Sequence, residues 1–284
     1  MPTPRILALD LDGTLIRRDG TVHPDDLAAV AAVQAIGVQV SIVTGRLYSG
    51  VRKLATRLNI RGTVVCSDGA ELVDPLTHRV VRHRRLVGPA AMDIRALLTG
   101  QPLALFLMAD DRIAYDKAGL KLARYVSNWS QDLVRVPSVL ELPDWSDELG
   151  ISGVVAAGMN AEVTAVVECI QGDPRYRVDS FAVRKAPGAK YDSDTPLQAM
   201  LVHAAGVDKG SALADLAAEA GLGLDDVVAV GDWINDIPML RAAGRSFAMG
   251  HAEPEVAAAA TDQLEAAGWE GGGVAEAVHK VWGL

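Results

Sequence analysis

Asp10-Leu11-Asp12-Gly13-Thr14-Leu15 follows directly on the apolar run Ile6-Leu7-Ala8-Leu9. Such a short apolar run is expected to form a strand buried on both faces, and in open α/β sheets ligands lie outside the carboxyl ends of these strands. Two carboxylates therefore stand where chemistry is done, and Gly13 permits a tight turn beside them. Taken alone, the six residues also fit a turn whose aspartates bond only local amides.

Outward from this stretch, Asp19-Gly20 between Ile16-Arg17-Arg18 and Thr21-Val22 predicts a small hairpin flap. His23-Pro24-Asp25-Asp26 opens a helix, with acids at its N-terminus and Gly37 near its end. A strand over 38–43 ends in Thr44-Gly45-Arg46, a helix runs to about Leu58, and a third strand over 63–66 meets the turn Ser67-Asp68-Gly69. The βαβαβ order predicts a doubly wound parallel sheet with right-handed crossovers.

From about Arg84 the rhythm changes. Helices are expected over 89–98, 120–129 and 161–170, with strands over 103–108, 112–115, 151–157 and 176–183. This pattern predicts a separate α+β domain over 84–199, inserted into an α/β core made of 1–83 and 200–284. Residues 185–196, rich in Pro, Gly, Asp and Ser, are expected to form an exposed loop or linker. Beyond it the α/β rhythm resumes, with helices over 211–220 and 238–243 and strands over 227–230 and 247–249.

With 284 residues, half of them hydrophobic, the chain can build a substantial core. Its 36 acidic and 27 basic residues leave a net charge of -9, which offers no electrostatic footprint for nucleic acid or an anionic membrane and favours small soluble ligands. Cys66 and Cys169 lack metal-type spacing and are expected to be buried, reduced thiols. They fit a cytoplasmic setting, as does a start without a signal-peptide core or a membrane-spanning run.

Phosphoryl chemistry suits an acidic strand end. A phosphate ester repels its attacker, so a catalyst must neutralise charge and hold nucleophile and phosphorus in line. Magnesium does both with only one or two protein carboxylates. Asp10 supplies one, and the best second source is Val227-Val228-Ala229-Val230-Gly231-Asp232-Trp233-Ile234-Asn235-Asp236, a second buried strand running into a carboxylate cluster. Like charges in one pocket repel, and a divalent cation removes that penalty. Thr44 and Gly45 can offer a hydroxyl and amides to phosphate, and Lys209, just before a helix, a compact cation.

Together these stretches resemble the haloacid dehalogenase (HAD) superfamily, and within it the Cof-type sugar-phosphatase-like branch with a large cap inserted between the second and third motifs. Asp10 to Leu15 is similar to its DxDGT(L) motif, Thr44-Gly45-Arg46 to its threonine motif, Lys209-Gly210 to its lysine motif, and Gly231-Asp232 with Asn235-Asp236 to its GDxxND motif. The resemblance implies a HAD core with an inserted α+β cap, and a magnesium-dependent phosphatase that hydrolyses a small phosphomonoester, a sugar phosphate or related metabolite. It makes Asp10 the nucleophile that forms an aspartyl-phosphate and Asp12 the general acid and base. Asp10, the Asp12 carbonyl and Asp232 would hold Mg2+, with Asp236 holding the metal or its water. Thr44, Gly45, Lys209 and Asn235 would grip the phosphoryl group. Arg46 would face the leaving group or the cap, and the cap would close over the substrate.

Asp68-Gly69-Ala70 and Gly250-His251-Ala252 stand where the branch usually has Asn-Gly-Ala and Gly-Asn-Ala, so Asp68 and His251 are expected to border the substrate. Two other outcomes share these features: a phosphomutase of the same superfamily, and a phospho-accepting signalling receiver that turns over no metabolite. Expected partners are the small-molecule substrate and, at most, further copies of the chain, as a monomer or small homo-oligomer.

Overall fold

A computed structural model describes residues 4–146, 148–183 and 197–284. In chain order the strands are β1 Ile6–Leu9, β2 Gln39–Ile42, β3 Val64–Cys66, β4 Glu71–Asp74, β5 Arg79–His83, β6 Ala104–Ala109, β7 Arg112–Tyr115, β8 Leu133–Arg135, β9 Gly153–Met159, β10 Tyr176–Ala182, β11 Leu197–Ala204, β12 Val227–Gly231, β13 Arg245–Ala248 and β14 Asp262–Gln263. The helices are α1 Pro24–Ala35, α2 Tyr48–Arg57, α3 Gly88–Leu98, α4 Ala123–Val126, α5 Asn160–Ile170, α6 Lys209–Glu219, α7 Ile237–Ala242, α8 Pro254–Ala257 and α9 Gly273–Trp282. The chain divides into two compact units, one of Met1–Gly45, Val51–His83 and Asp208–Leu284, the other of Arg46–Gly50 and Arg84–Val207.

The first unit is built on a five-stranded parallel sheet in the order β14-β13-β12-β1-β2. Ile6 to Leu9 register against Val227 to Val230 on one side and Gln39 to Ile42 on the other, and all four are fully buried. Burying an aliphatic side chain of this size contributes about 1.5–3 kcal/mol, which favours β1 as an interior strand. Helix α1 starts at Pro24, whose fixed φ suits the first turn, and the His23 ring accepts the Asp25 amide at 3.2 Å. Asp26, also in that turn, reaches across to α9 instead: its two oxygens accept the amides of Gly272 and Ala275, each at 2.9 Å.

The third strand departs from a simple βαβαβ sheet. Strand β3 touches the parallel sheet through a single bridge, Val43 to Val65, and then pairs antiparallel with β4, which pairs with β5. Ser67 and Asp68 both take positive φ and turn the chain back on itself. The Asp19-Gly20 turn forms, with the Gly20 amide donating to the Arg17 carbonyl at 2.9 Å, but no strand ladder flanks it. An isolated two-stranded ribbon is marginal without a sheet or helix to pack on.

The second unit carries a six-stranded sheet in the order β10-β11-β9-β6-β7-β8, antiparallel except for the β7–β8 pair. Along β6, Leu105 and Leu107 face one apolar cluster, and Ala104, Phe106 and Met108 face another. That alternation is the two-residue period of a strand buried on both sides. Leu103, Leu105, Leu107 and Met108 are thus core, as is Trp145, whose indole donates to the Val139 carbonyl at 3.0 Å.

Three sequence expectations change here. The core was expected to resume at 200, but Leu197–Ala204 is a strand paired with β9 and β10, and the first unit resumes at Asp208. The helix expected over 120–129 breaks into a short turn at Gly119–Lys121 and the brief α4. Cys66 is buried as expected, but Cys169 is exposed, because the buried face of α5 is Val163, Val166 and Ile170. The loop expected over 185–196 lies outside the described residues.

Candidate active site

The carboxyl ends of β1 and β12, neighbours in the sheet, bring the two acidic segments together. Asp10 leaves β1 with its amide donating to the Val230 carbonyl at 3.0 Å, and Asp232 leaves β12. Asp10, Asp232 and Asp236 each present a carboxylate oxygen within 4.8 Å of the others, and all three are buried. Among the described residues this is a group of acids whose spacing suits a metal ion.

Lys209 enters from the first turn of α6. Asp208 caps that helix by accepting the Ser211 amide at 2.7 Å, which sets where Lys209 begins. The fully buried ammonium donates to Asp10 Oδ1 and Asp236 Oδ1, both at 2.6 Å. The second oxygen of Asp236 accepts the amides of Asp232 and Trp233 at 2.9 and 3.0 Å. Asp236 thereby ties its own loop to the lysine. Gly231 makes room for this fold-back, since a Cβ there would come within 2.6 Å of the Asp236 carboxyl carbon.

Two glycine-dependent approaches shape the rest. Gly13, at φ 98°, lets the first loop pass so close to Asp232 that a Cβ would sit 2.4 Å from its Oδ2. The next residue, Thr14, donates its hydroxyl to Asp232 Oδ1 at 2.8 Å. His251 Nε2 lies 3.1 Å from Asp232 Oδ2. Asp68 is buried, its amide donates to the Thr44 carbonyl at 3.0 Å, and its carboxylate accepts Asn235 Nδ2 at 2.8 Å. Gly45 packs beside it, with the Asp68 oxygens 3.3 Å from where a Cβ would lie.

The charges do not balance. Burial pushes the Asp10 carboxyl well above the usual range, and the Asp236 and Asp232 charges add to this against the pull of Lys209. Asp236 is also raised, chiefly by burial, with Lys209 opposing. Burial would favour a neutral Lys209, but Asp10, Asp236 and Asp68 together hold its ammonium charged far above neutrality. One lysine facing three buried carboxylates leaves an uncompensated negative charge, and hard oxygen donors are what magnesium takes. The residues fit a divalent cation.

Asp10, Thr44, Gly45, Asp68, Lys209, Asp232, Asn235, Asp236 and His251 all belong to this one unit. Asp12 is exposed on the loop after β1, where it forms a bridge with Ile16. Arg46 belongs with the second unit and donates to the Gly50 carbonyl at 3.4 Å. Thr14 went unselected in the sequence, although a hydroxyl beside Gly13 in a strand-end loop is a signal for it.

The sequence matches the profile of the haloacid dehalogenase-like hydrolases over residues 7–149 and 183–278. The pyridoxal phosphate phosphatase of Escherichia coli is 28% identical over 261 residues, covering 91% of this chain and 92% of that protein. A phosphatase of Bacillus subtilis is 27% identical, covering 89% and 91%. A haloacid dehalogenase-like hydrolase from B. subtilis superposes with a TM-score of 0.79 at 22% identity, covering 96% of this chain and 98% of that one. A sugar phosphatase of HAD subclass IIB superposes with a TM-score of 0.76 at 20% identity, covering 98% and 99%.

Proposed function

This chain belongs to the haloacid dehalogenase-like hydrolase family, and from that premise we propose that it is a phosphatase acting on a small phosphomonoester through an aspartyl-phosphate. The observation that carries this is Asp10, at the end of the interior strand β1, paired with Lys209 and facing Asp232 and Asp236. No chemistry of a simple turn calls for a buried lysine between two buried carboxylates.

Asp10 would attack phosphorus, forming the new O–P bond as the ester oxygen leaves. Asp12 would give that oxygen its proton. Asp12, now ionised, would take a proton from water, whose oxygen attacks the aspartyl-phosphate and frees Asp10 and inorganic phosphate. Lys209 favours the charged form of Asp10 and lies ready for the phosphoryl oxygens, with Thr44, Gly45 and Asn235 as further donors. Asp10, the Asp12 carbonyl and Asp232 would hold Mg2+, with Asp236 bracing the loop and the metal's water. When bound, the ion supplies charge neutralisation at the transferring phosphoryl group.

Named relatives acting on pyridoxal phosphate and on a phosphoribityl pyrimidine, together with the subclass IIB sugar phosphatase, favour a sugar phosphate or related metabolite. We take Arg46 and Asp68 as candidate selectors among these; His251, expected to border the substrate, turns its Nε2 to Asp232 instead. No helix among the described residues is long and apolar enough to cross a membrane, and we place the enzyme in the cytoplasm as a monomer or small homo-oligomer. The test is phosphate release from a panel of sugar phosphates and pyridoxal phosphate, with and without Mg2+. Magnesium-dependent release is expected. Isomerised ester without released phosphate would turn the assignment to a mutase, and no turnover of any ester would sink it.

A further inference from the structure

Asp232 is gripped at both oxygens, and the two grips come from opposite ends of the chain. Thr14 donates to Oδ1 at 2.8 Å, and His251 approaches Oδ2 at 3.1 Å. The histidine is itself fixed. Its Nδ1 accepts the Gly268 amide at 2.9 Å, so in the neutral ring the proton resides on Nε2 and points at Asp232. Its ring centroid lies 5.1 Å from that of Trp269, and only 16% of its side chain is exposed. A histidine facing substrate would keep a nitrogen for it; here one nitrogen is spent on backbone and the other on a carboxylate.

We propose that His251 is a positioning residue for Asp232: it fixes the carboxylate's orientation and so sets the affinity of the site for a divalent cation. This rests on the assignment of Asp232 as a metal ligand. Each carboxylate oxygen has about two lone-pair sites. One donor on each oxygen therefore locks both carboxylate torsions and still leaves an acceptor direction for the ion. Outer-shell partners of this kind typically change metal affinity 10–100-fold when removed.

The test is isothermal titration of the metal-free full-length protein with Mg2+, alongside its thermal unfolding without metal. His251→Phe keeps the ring against Trp269 but removes both the donor to Asp232 and the acceptor for the Gly268 amide, whereas His251→Gln keeps a donor N–H and an acceptor oxygen. The Kd for Mg2+ should weaken about 10–100-fold in His251→Phe and recover in part in His251→Gln, with the metal-free Tm lowered by no more than the few degrees that one lost backbone hydrogen bond costs. Wild-type affinity in His251→Phe would overturn the inference. A weakened affinity that comes with a metal-free Tm lowered well beyond that would also overturn it, by making His251 a prop for the 250–268 segment. Absence of Mg2+ binding to the wild type would instead remove the metal assignment, and this inference with it.

Discussion

In the first unit, Asp10, Asp68, Lys209, Asp232 and Asp236 are gathered at one set of strand ends with more negative than positive charge. In the second, the buried acid Asp144 receives Arg112 Nη2 at both oxygens, at 2.7 and 2.9 Å, and the other end of the guanidinium lies 3.7 Å from the exposed Asp110. Both units have large apolar cores on regular sheets, so the difference is not one of foldability. A buried charge with a matched partner holds structure. A buried cluster left with a negative surplus is poised for a further ligand, because the molecule tolerates a desolvation penalty that an arriving cation relieves.

The comparison breaks most sharply at Asp10. Asp10→Asn should lower magnesium-dependent phosphate release by roughly a thousandfold or more while circular dichroism stays unchanged; full activity in the variant would end the nucleophile assignment. Asp12→Asn should slow turnover about 10²–10⁴-fold, since a lost general acid and base costs that much. In the second unit, Arg112→Ala strands a buried carboxylate and should cost about 3 kcal/mol in urea unfolding. If it costs well under 1 kcal/mol, the matched pair is not structural and the contrast fails.

Metal sharpens the same contrast. At a hundredfold excess over its Kd, Mg2+ should stabilise the wild type by about 2.7 kcal/mol and leave Asp232→Asn largely unaffected, as read from denaturant curves. Equal stabilisation of both would place the ion elsewhere.

The smallest effect concerns Asp26, a buried charge in the first unit that serves structure alone. Burial holds its carboxyl above the ordinary 3.8, against the pull of the Ala275 and Gly272 amides. The native state therefore binds the proton more tightly than the unfolded state does. Its contribution is full below pH 3.8 and is lost as pH rises through the raised native value. Wild-type stability minus that of Asp26→Asn should decline across that interval, and a flat difference would exclude Asp26 as the titrating group.

What was legible in the sequence follows from what is local. Asp10, Asp232 and Asp236 sit at the ends of apolar runs, and strand ends in a parallel sheet converge whatever the details, so their meeting could be expected. The Thr14–Asp232 and His251–Asp232 contacts depend on the register of β1 against β12 and on how the 250–268 segment returns, which no local pattern encodes. Strand β11 was missed because Gln198 and His203 interrupt its apolar run and a Pro- and Gly-rich stretch precedes it. Its partners β9 and β10, not its own composition, make it a strand. The antiparallel turn after β3 was hidden in Ser67 and Asp68, neither of which announces a positive φ as glycine does.

The close passage of Gly13 beside Asp232 has a consequence for how the enzyme comes into being. Thr14 and Asp232 are 218 positions apart, and Lys209 and Asp10 are 199 apart, so the contacts that tie the first motif into the site span most of the chain. During synthesis the first motif must wait, with its carboxylate uncompensated, until α6 and β12 have emerged and β12 has docked beside β1. Non-local pairing of this kind is slow, because loop closure must precede any reward from contact. The catalytic centre is thus among the last features the fold completes, and the appearance of activity is a report that the two ends of the core have joined.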